Sequence, residues 1–100
     1  MKKVRHMVLL KFKAGTPEKR MADLLVALAR LKQILPGMLH FCGGPYSSPE
    51  GMNQGFTHGL LITFTNAAAR NHYLTHADHE KIKNEFLPLL DNVIAFDFEE

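Results

Sequence analysis

The fold of this chain is decided by one stretch, Gly55-Phe56-Thr57-His58-Gly59-Leu60-Leu61-Ile62-Thr63-Phe64. Its residues alternate, so that Phe56, His58, Leu60, Ile62 and Phe64 share one face of an extended chain. That face is apolar over its whole length except at the imidazole, and the other face carries smaller and mixed residues. We therefore predict a central strand of a sheet, and we expect its histidine to need a polar partner or a pocket.

A second stretch, Val4–Lys13, repeats the same pattern and is predicted to be the first strand. His6, Val8, Leu10 and Phe12 share its apolar face, which again has a histidine near one end. If the two strands are neighbours, their histidines lie on the same side of one sheet. We therefore expect the His6 and His58 side chains to lie side by side.

Two helical segments alternate with the strands. The first is predicted to start at the N-cap Thr16 and to end before Pro36-Gly37. The second is predicted to be a short helix from the N-cap Asn66 and, after an interruption at 75–79, a further helix that ends at Pro88 and Asp91-Asn92. Apolar residues at intervals of three and four in the first segment predict one buried stripe, made of Met21, Leu24, Leu25, Leu28, Leu31, Ile34 and Leu35.

Two shorter strands complete the order of elements. One is predicted over Met38–Phe41, before a loop rich in Gly, Pro and Ser, and the other over Val93–Phe98. The resulting order predicts an α+β fold, a ferredoxin-like βαββαβ protomer with a four-stranded antiparallel sheet and helices on one face. The other face carries Met7, Leu9 and Leu61 and is too apolar to face water, so we expect a homodimer formed by sheet-to-sheet packing.

The composition limits the classes of function. One hundred residues predict a single domain over 1–100, and the balance of 12 basic and 10 acidic residues argues against a nucleic-acid partner. The single Cys42 excludes an intramolecular disulfide, and we expect it to be a small buried hydrophobic residue. Because neither a signal peptide nor a run of about 18 apolar residues is present, we expect a cytoplasmic protein without a membrane partner.

Five short motifs resemble one known family. They are His6 before MVLLKFK, Pro36-Gly37, GFTHG around His58, the spacing Tyr73-x-x-His76-x-x-His79, and the closing FDFE. Together, and over essentially the whole chain, they resemble the stress-responsive dimeric α/β-barrel (Dabb) family. The resemblance implies a ferredoxin-like protomer whose sheet packs on a partner's to form a dimeric α/β barrel. Most members of that family have no assigned activity.

One branch of the family is enzymatic and comprises olivetolic acid cyclase-like polyketide cyclases, which close a linear poly-β-keto chain by an aldol step. The resemblance implies that His79 is the catalytic histidine and Tyr73 the catalytic tyrosine. An aldol closure needs a base of near-neutral pKa and a hydrogen-bond donor for the developing oxyanion, which an imidazole and a phenol supply. The ligand-binding residues expected around them are His6, His58, Val8, Leu10, Leu24, Leu28 and Leu60.

Several interpretations of these residues stay open. The leading hypothesis is a small dimeric protein whose pocket binds an apolar or keto-acid-like ligand without established turnover. The alternative is a cofactor-free, cyclase-like acid/base enzyme, and a third hypothesis is quinol or haem oxidation, as in other ferredoxin-like barrels. His6 and His58 could instead be buried structural residues that fix the register. His76 and His79 have a spacing that could hold a metal, but no third ligand is apparent, so we predict neither metal nor cofactor.

Overall fold

The computed structural model describes residues 2–100, in which the sheet has the strand order β2-β3-β1-β4 and is antiparallel throughout. Short 3₁₀ segments follow the first and last helices, at Leu31–Gln33 and Leu87–Leu89. This arrangement is the predicted ferredoxin-like βαββαβ fold, including the predicted division of its second helical segment into two helices. The elements are β1 (Val4–Phe12), α1 (Glu18–Arg30), β2 (Met38–Pro45), β3 (His58–Phe64), α2 (Ala67–Thr75), α3 (Ala77–Phe86) and β4 (Leu90–Glu99).

The register of the central strands separates the two strand histidines. On β1, His6 lies opposite Ile62 of β3, whereas His58 lies opposite Leu10. Both histidines belong to the helix-facing side of the sheet, but four residues, or about 13 Å, of β1 separate their positions. The expectation that they lie side by side is therefore wrong, because alternation defines the face of a residue and not its position along the neighbouring strand.

The helix-facing side of the sheet holds the hydrophobic core. Val4, Ile62 and Phe64 are fully buried there, and they form one hydrophobic cluster with the predicted α1 stripe around Leu24 and Leu28. Each such side chain contributes about 1.5–3 kcal/mol by leaving water. Within residues 2–100, no helix is long and apolar enough to cross a membrane.

Two helix boundaries differ from the prediction. Helix α1 begins at Glu18 with Pro17 in the N-cap position, because the Thr16 hydroxyl group donates to the carbonyl oxygen of Lys13 instead of capping the helix. At the other end, the α-helix tightens into the 3₁₀ segment, which turns Ile34 out of the buried stripe, and its side chain is 52% exposed.

The second strand is longer than predicted and runs beyond Phe41 to Pro45. Its glycine-rich end still pairs with β3, since Gly43 lies opposite Leu60. A Cβ atom at Gly43 would come within 2.8 Å of the Gly59 carbonyl oxygen, so glycine allows the two backbones to approach here. Pairing with a central strand thus overrides the loop-like composition of this segment.

No helix within residues 2–100 covers the other face of the sheet, which is called the open face below and carries mainly apolar side chains. The apolar side chains of β1 and β4 on this face are exposed, and Phe96 is the most exposed of them, at 63%. Cys42 also lies exposed on this face, so the expectation of a buried cysteine is wrong. The apolar residues of the open face are Met7, Leu9, Leu61, Ile94, Phe96 and Phe98.

Candidate functional site

A cavity of about 200 Å³ lies between the sheet and the helices. Its volume exceeds that of a 150 Å³ cavity of the kind that holds benzene, so an aromatic ring with a short substituent fits. Apolar side chains form most of its wall, and His6, Tyr73, His79 and Lys83 are its polar members. The complete lining is His6, Val8, Leu10, Leu28, Leu60, Tyr73, Leu74, His79, Lys83, Phe86, Leu87, Leu90, Val93 and Ala95.

Most of the residues predicted to form a site meet in this cavity, and two do not. Leu24 lies in the core, 2% exposed, one turn of α1 before the lining residue Leu28. His58 lines two other pockets, of about 260 and 450 Å³, towards the opposite end of the sheet. The predicted residues in the cavity wall are His6, Val8, Leu10, Leu28, Leu60, Tyr73 and His79.

His79 is held on α3 in a defined tautomer. Its Nδ1 atom lies 3.2 Å from the carbonyl oxygen of Leu74, which can only accept a hydrogen bond. Nδ1 therefore carries the proton, and Nε2 is left as an acceptor. Burial lowers the pKa of His79 below its usual value, an effect that the Leu74 and Glu80 oxygens oppose in part. A neutral imidazole with a free Nε2 is the form that a general base requires.

Tyr73 lies between the two histidines of the cavity. It is carried by α2, its side chain is 2% exposed, and its ring centroid lies 4.3 Å from that of His79 and 6.0 Å from that of His6. Burial raises the pKa of the Tyr73 phenol, so the hydroxyl group keeps its proton and can donate a hydrogen bond. A donor and an acceptor thus occur side by side in the cavity wall.

His6 belongs to a chain of three polar side chains from three elements. Its Nδ1 atom lies 2.6 Å from Oδ1 of Asp97 on β4, and Arg70 of α2 donates from Nη1 to Oδ2 of the same carboxylate, also at 2.6 Å. The sequence reasoning missed Asp97 and Arg70. Asp97 had a signal, because it interrupts an apolar strand on the same face as Val93 and Ala95, whereas nothing in the sequence around Arg70 distinguished it.

The remaining histidine of the predicted cluster, His76, serves another purpose. His76 caps α3, since its Nδ1 atom accepts from the backbone N–H of Asp78, so it does not converge with His79 on a common ligand. Among residues 2–100, no group of three or more His, Cys, Asp or Glu side chains could hold a metal ion.

His58 occupies a separate environment at the other end of β3. Its Nδ1 atom lies 2.9 Å from the Thr57 hydroxyl oxygen, and its ring packs edge-on against Phe12. Burial lowers the pKa of His58, and the nearby Glu18 carboxylate opposes this shift. The expectation that His58 anchors a ligand together with His6 is corrected by this placement, because the register puts the two residues at different pockets.

Comparison with known proteins identifies relatives over nearly the whole chain. Residues 4–100 match the family described as the stress responsive A/B barrel domain. The stress-response A/B barrel domain-containing protein HS1 of Arabidopsis thaliana is 32% identical over 95 residues, which are 95% of this chain and 87% of that protein. Olivetolic acid cyclase of Cannabis sativa is 23% identical over 95% of this chain and 94% of its own. Among solved structures, a dimeric ferredoxin-like protein of unknown function from Jannaschia sp. CCS1 has a TM-score of 0.89 at 25% identity, covering 98% of this chain and 99% of its own.

Proposed function

We propose that this chain, which belongs to the stress-responsive A/B barrel domain family, is a single-domain protein that forms a homodimer and binds one small apolar ligand per protomer. The observation that carries the proposal is the cavity of about 200 Å³, whose apolar wall is interrupted by His6, Tyr73 and His79. A few convergent polar groups in an otherwise apolar cavity are typical of ligand sites. The proposed role is ligand binding without a catalysed reaction.

The homodimer is supported by the open face. Its six apolar residues would form a continuous exposed patch on a monomer, and such patches mark interaction surfaces. The Jannaschia relative is a dimeric ferredoxin-like protein. Packing the open faces of two protomers against each other would close an α/β barrel with the helices outside, and the cavity would remain on the helix side of each sheet.

The ligand class follows from the chemistry of the wall. The Tyr73 hydroxyl group can donate to a carbonyl oxygen, and Nε2 of His79 can accept a proton or a hydrogen bond. Lys83 is the only lining residue with a full positive charge, and Glu80 pairs with it at 2.9 Å. These groups suit a small apolar ketone or keto-acid-like molecule, with its carbonyl group near Tyr73.

An NMR titration of the methyl-labelled protein with acetophenone tests this proposal, and α1 supplies an internal control. Leu28 lines the cavity whereas Leu24, one turn earlier, does not. We expect saturable shifts at the methyl groups of Val8, Leu28 and Leu60 and little change at Leu24. Equal shifts at Leu24 and Leu28, or no shifts at millimolar probe, would refute a ligand site in this cavity.

A second candidate is cofactor-free acid/base turnover at the same cavity, as in aldol-type ring closure. It is favoured by the fixed Nδ1–H tautomer of His79, with Tyr73 in contact. Nε2 of His79 would take a proton from the carbon next to a ketone, giving an imidazolium and an enolate, and the Tyr73 hydroxyl group would donate to the enolate oxygen. Olivetolic acid cyclase, by its name a cyclase, is among the relatives.

Deuterium uptake by the methyl group of acetophenone in D₂O tests the proton transfer without a full substrate. A positioned acid or base raises the rate of proton transfer by about 10²- to 10⁴-fold, so His79→Gln and Tyr73→Phe should each remove most of the catalysed exchange. His76→Gln is the matched control, because His76 caps α3 and does not line the cavity. Equal loss in His76→Gln and His79→Gln would show that the exchange does not depend on the cavity.

A further inference from the structure

Arg70, Asp97 and His6 form a hydrogen-bonded series with one more member than a buried histidine needs to satisfy its Nδ1 atom. The Asp97 carboxylate uses one oxygen for each partner, at 2.6 Å in both cases, and the three side chains come from α2, β4 and β1. The His6 side chain is 8% exposed, against 22% for each of the other two. The histidine is therefore the inner end of the chain, in the cavity wall, and the guanidinium is the outer end.

We propose that Arg70, acting through Asp97, is a positioning residue that fixes His6 as a hydrogen-bond acceptor, so that the cavity selects apolar ligands with a hydroxyl donor such as a phenol or an enol. The selection of ligands rests on the proposed function of the cavity. The positioning of His6 does not, because it concerns only the proton positions in the free protein.

The proton positions follow from counting hydrogens and charges. An ionised carboxylate only accepts hydrogen bonds, so Nδ1 of His6 must carry the proton that points to Asp97, and Nε2 is then bare. The positive Arg70 and the negative Asp97 already balance. A second proton on His6 would leave a net positive charge in a largely buried group, which burial disfavours. His6 is therefore a neutral acceptor as long as Arg70 is present.

The other groups that face His6 reinforce this state. From α2, Tyr73 packs edge-on against the imidazole and carries no charge. From α3, His79 is coupled to His6 by charge, so a proton on either ring disfavours one on the other. From β3, Phe64 supplies only an aromatic edge. The wall thus offers two bare imidazole nitrogens and one phenol, a set complementary to a ligand that donates a hydrogen bond.

Removing the guanidinium should invert the role of His6. Without Arg70, the Asp97 carboxylate loses its compensating cation, and the local charge balances only when His6 takes a second proton. Nε2 then becomes a donor in place of an acceptor. Arg70→Lys keeps the positive charge and should preserve the wild-type state, whereas Arg70→Met removes the charge and keeps an unbranched side chain.

The state of His6 can be read directly from the ¹⁵N shifts of its ring in a long-range ¹H–¹⁵N spectrum at neutral pH. We expect a neutral ring protonated at Nδ1 in the wild type, in Arg70→Lys and in the matched control Arg20→Met, whose arginine pairs with Glu85 at 3.3 Å. We expect a doubly protonated ring in Arg70→Met. A merely structural role of Arg70 would leave the ring unchanged in Arg70→Met, and that result overturns the positioning role.

The selection of ligands is tested with 4-ethylphenol and 4-ethylanisole, which differ by a methyl group that removes the donor. A net hydrogen bond predicts about two- to tenfold tighter binding of the phenol to the wild type, and a smaller preference in Arg70→Met, where Nε2 of His79 is the remaining imidazole acceptor. Equal binding of both probes to the wild type would refute the selection. If neither probe shifts the cavity methyl groups, the proposed function itself fails, and the ¹⁵N measurement still decides whether Arg70 positions His6.

Discussion

Replacing Phe96 by glutamate should convert the homodimer into a monomer. Phe96 is 63% exposed on the open face and lies opposite Met7 in the pairing of β1 with β4. Ile94 and Phe98 flank it on the same face, so a partner sheet that covers this face must cover Phe96. A carboxylate at that position would have to lose its water without gaining a partner charge.

The size of the effect can be worked from the exposed area of this one side chain. An aromatic side chain presents about 200 Å², so 63% exposure leaves about 130 Å² for a partner to cover. At about 25 cal/mol per Å², covering it contributes about 3 kcal/mol per protomer, and about 6 kcal/mol in a two-fold dimer. Losing that contribution weakens the dissociation constant by about four powers of ten, even before the buried charge is counted.

Sedimentation equilibrium over micromolar concentrations would measure this change. The wild type should sediment as a dimer and Phe96→Glu as a monomer of 11.3 kDa. Ile34→Glu is the matched control, because it places the same charge at a side chain that is 52% exposed but outside the sheet. The reasoning is refuted if the wild type is monomeric, or if Phe96→Glu remains as dimeric as Ile34→Glu.

Three further predictions concern the cavity and the packing around it. Ala95 is an exposed part of the cavity wall, so Ala95→Phe should fill the cavity and abolish acetophenone binding in the NMR titration while leaving the thermal midpoint nearly unchanged. A Cβ atom at Gly37 would overlap that of Ala69, so Gly37→Ala should lower the free energy of unfolding, measured with urea, by about 1–3 kcal/mol. Adding Ala69→Gly should recover part of that free energy. Burial lowers the folded-state pKa of His79 below the value of 6.5, so the unfolded chain binds the proton first, and the free energy of unfolding falls as the pH falls from 6.5 towards the folded-state pKa. His79→Gln should reduce that slope just below pH 6.5, and an unchanged slope in urea midpoints would contradict this assignment.

Alternation in the sequence predicted the faces of the strands but not their register. The positions of His6 and His58 on the helix-facing side are correct, because a period of two is visible in each strand by itself. Their separation was missed because sliding one strand by two residues leaves both faces unchanged. The actual register depends on the packing of the whole sheet, and the sequence of a single strand does not determine that packing.

Local composition also gave a wrong prediction for β2, where pairing with a neighbouring strand outweighs the low strand propensity of the residues. Cys42 was expected to be buried at the end of a short strand, but β2 continues through Gly43 and Gly44 to Pro45, and Cys42 falls on the open face. Residues typical of turns concealed the strand. Its pairing with the central β3 supplies the hydrogen bonds that hold this end extended.

The contact between Asp97 and His6 also resolves the ambiguity of strand register that alternation leaves. A slip of β4 by one residue would exchange its faces, which would move Asp97 to the apolar open face and turn Phe96 and Phe98 towards the helices. A slip by two residues would keep every apolar residue on its proper face, so the hydrophobic pattern alone tolerates it. That slip would, however, move Asp97 two positions along β1, away from its place opposite His6, and would break the 2.6 Å contact. The structural and functional interpretations of His6 therefore do not compete, because the contact that orients its imidazole also penalises the wrong register.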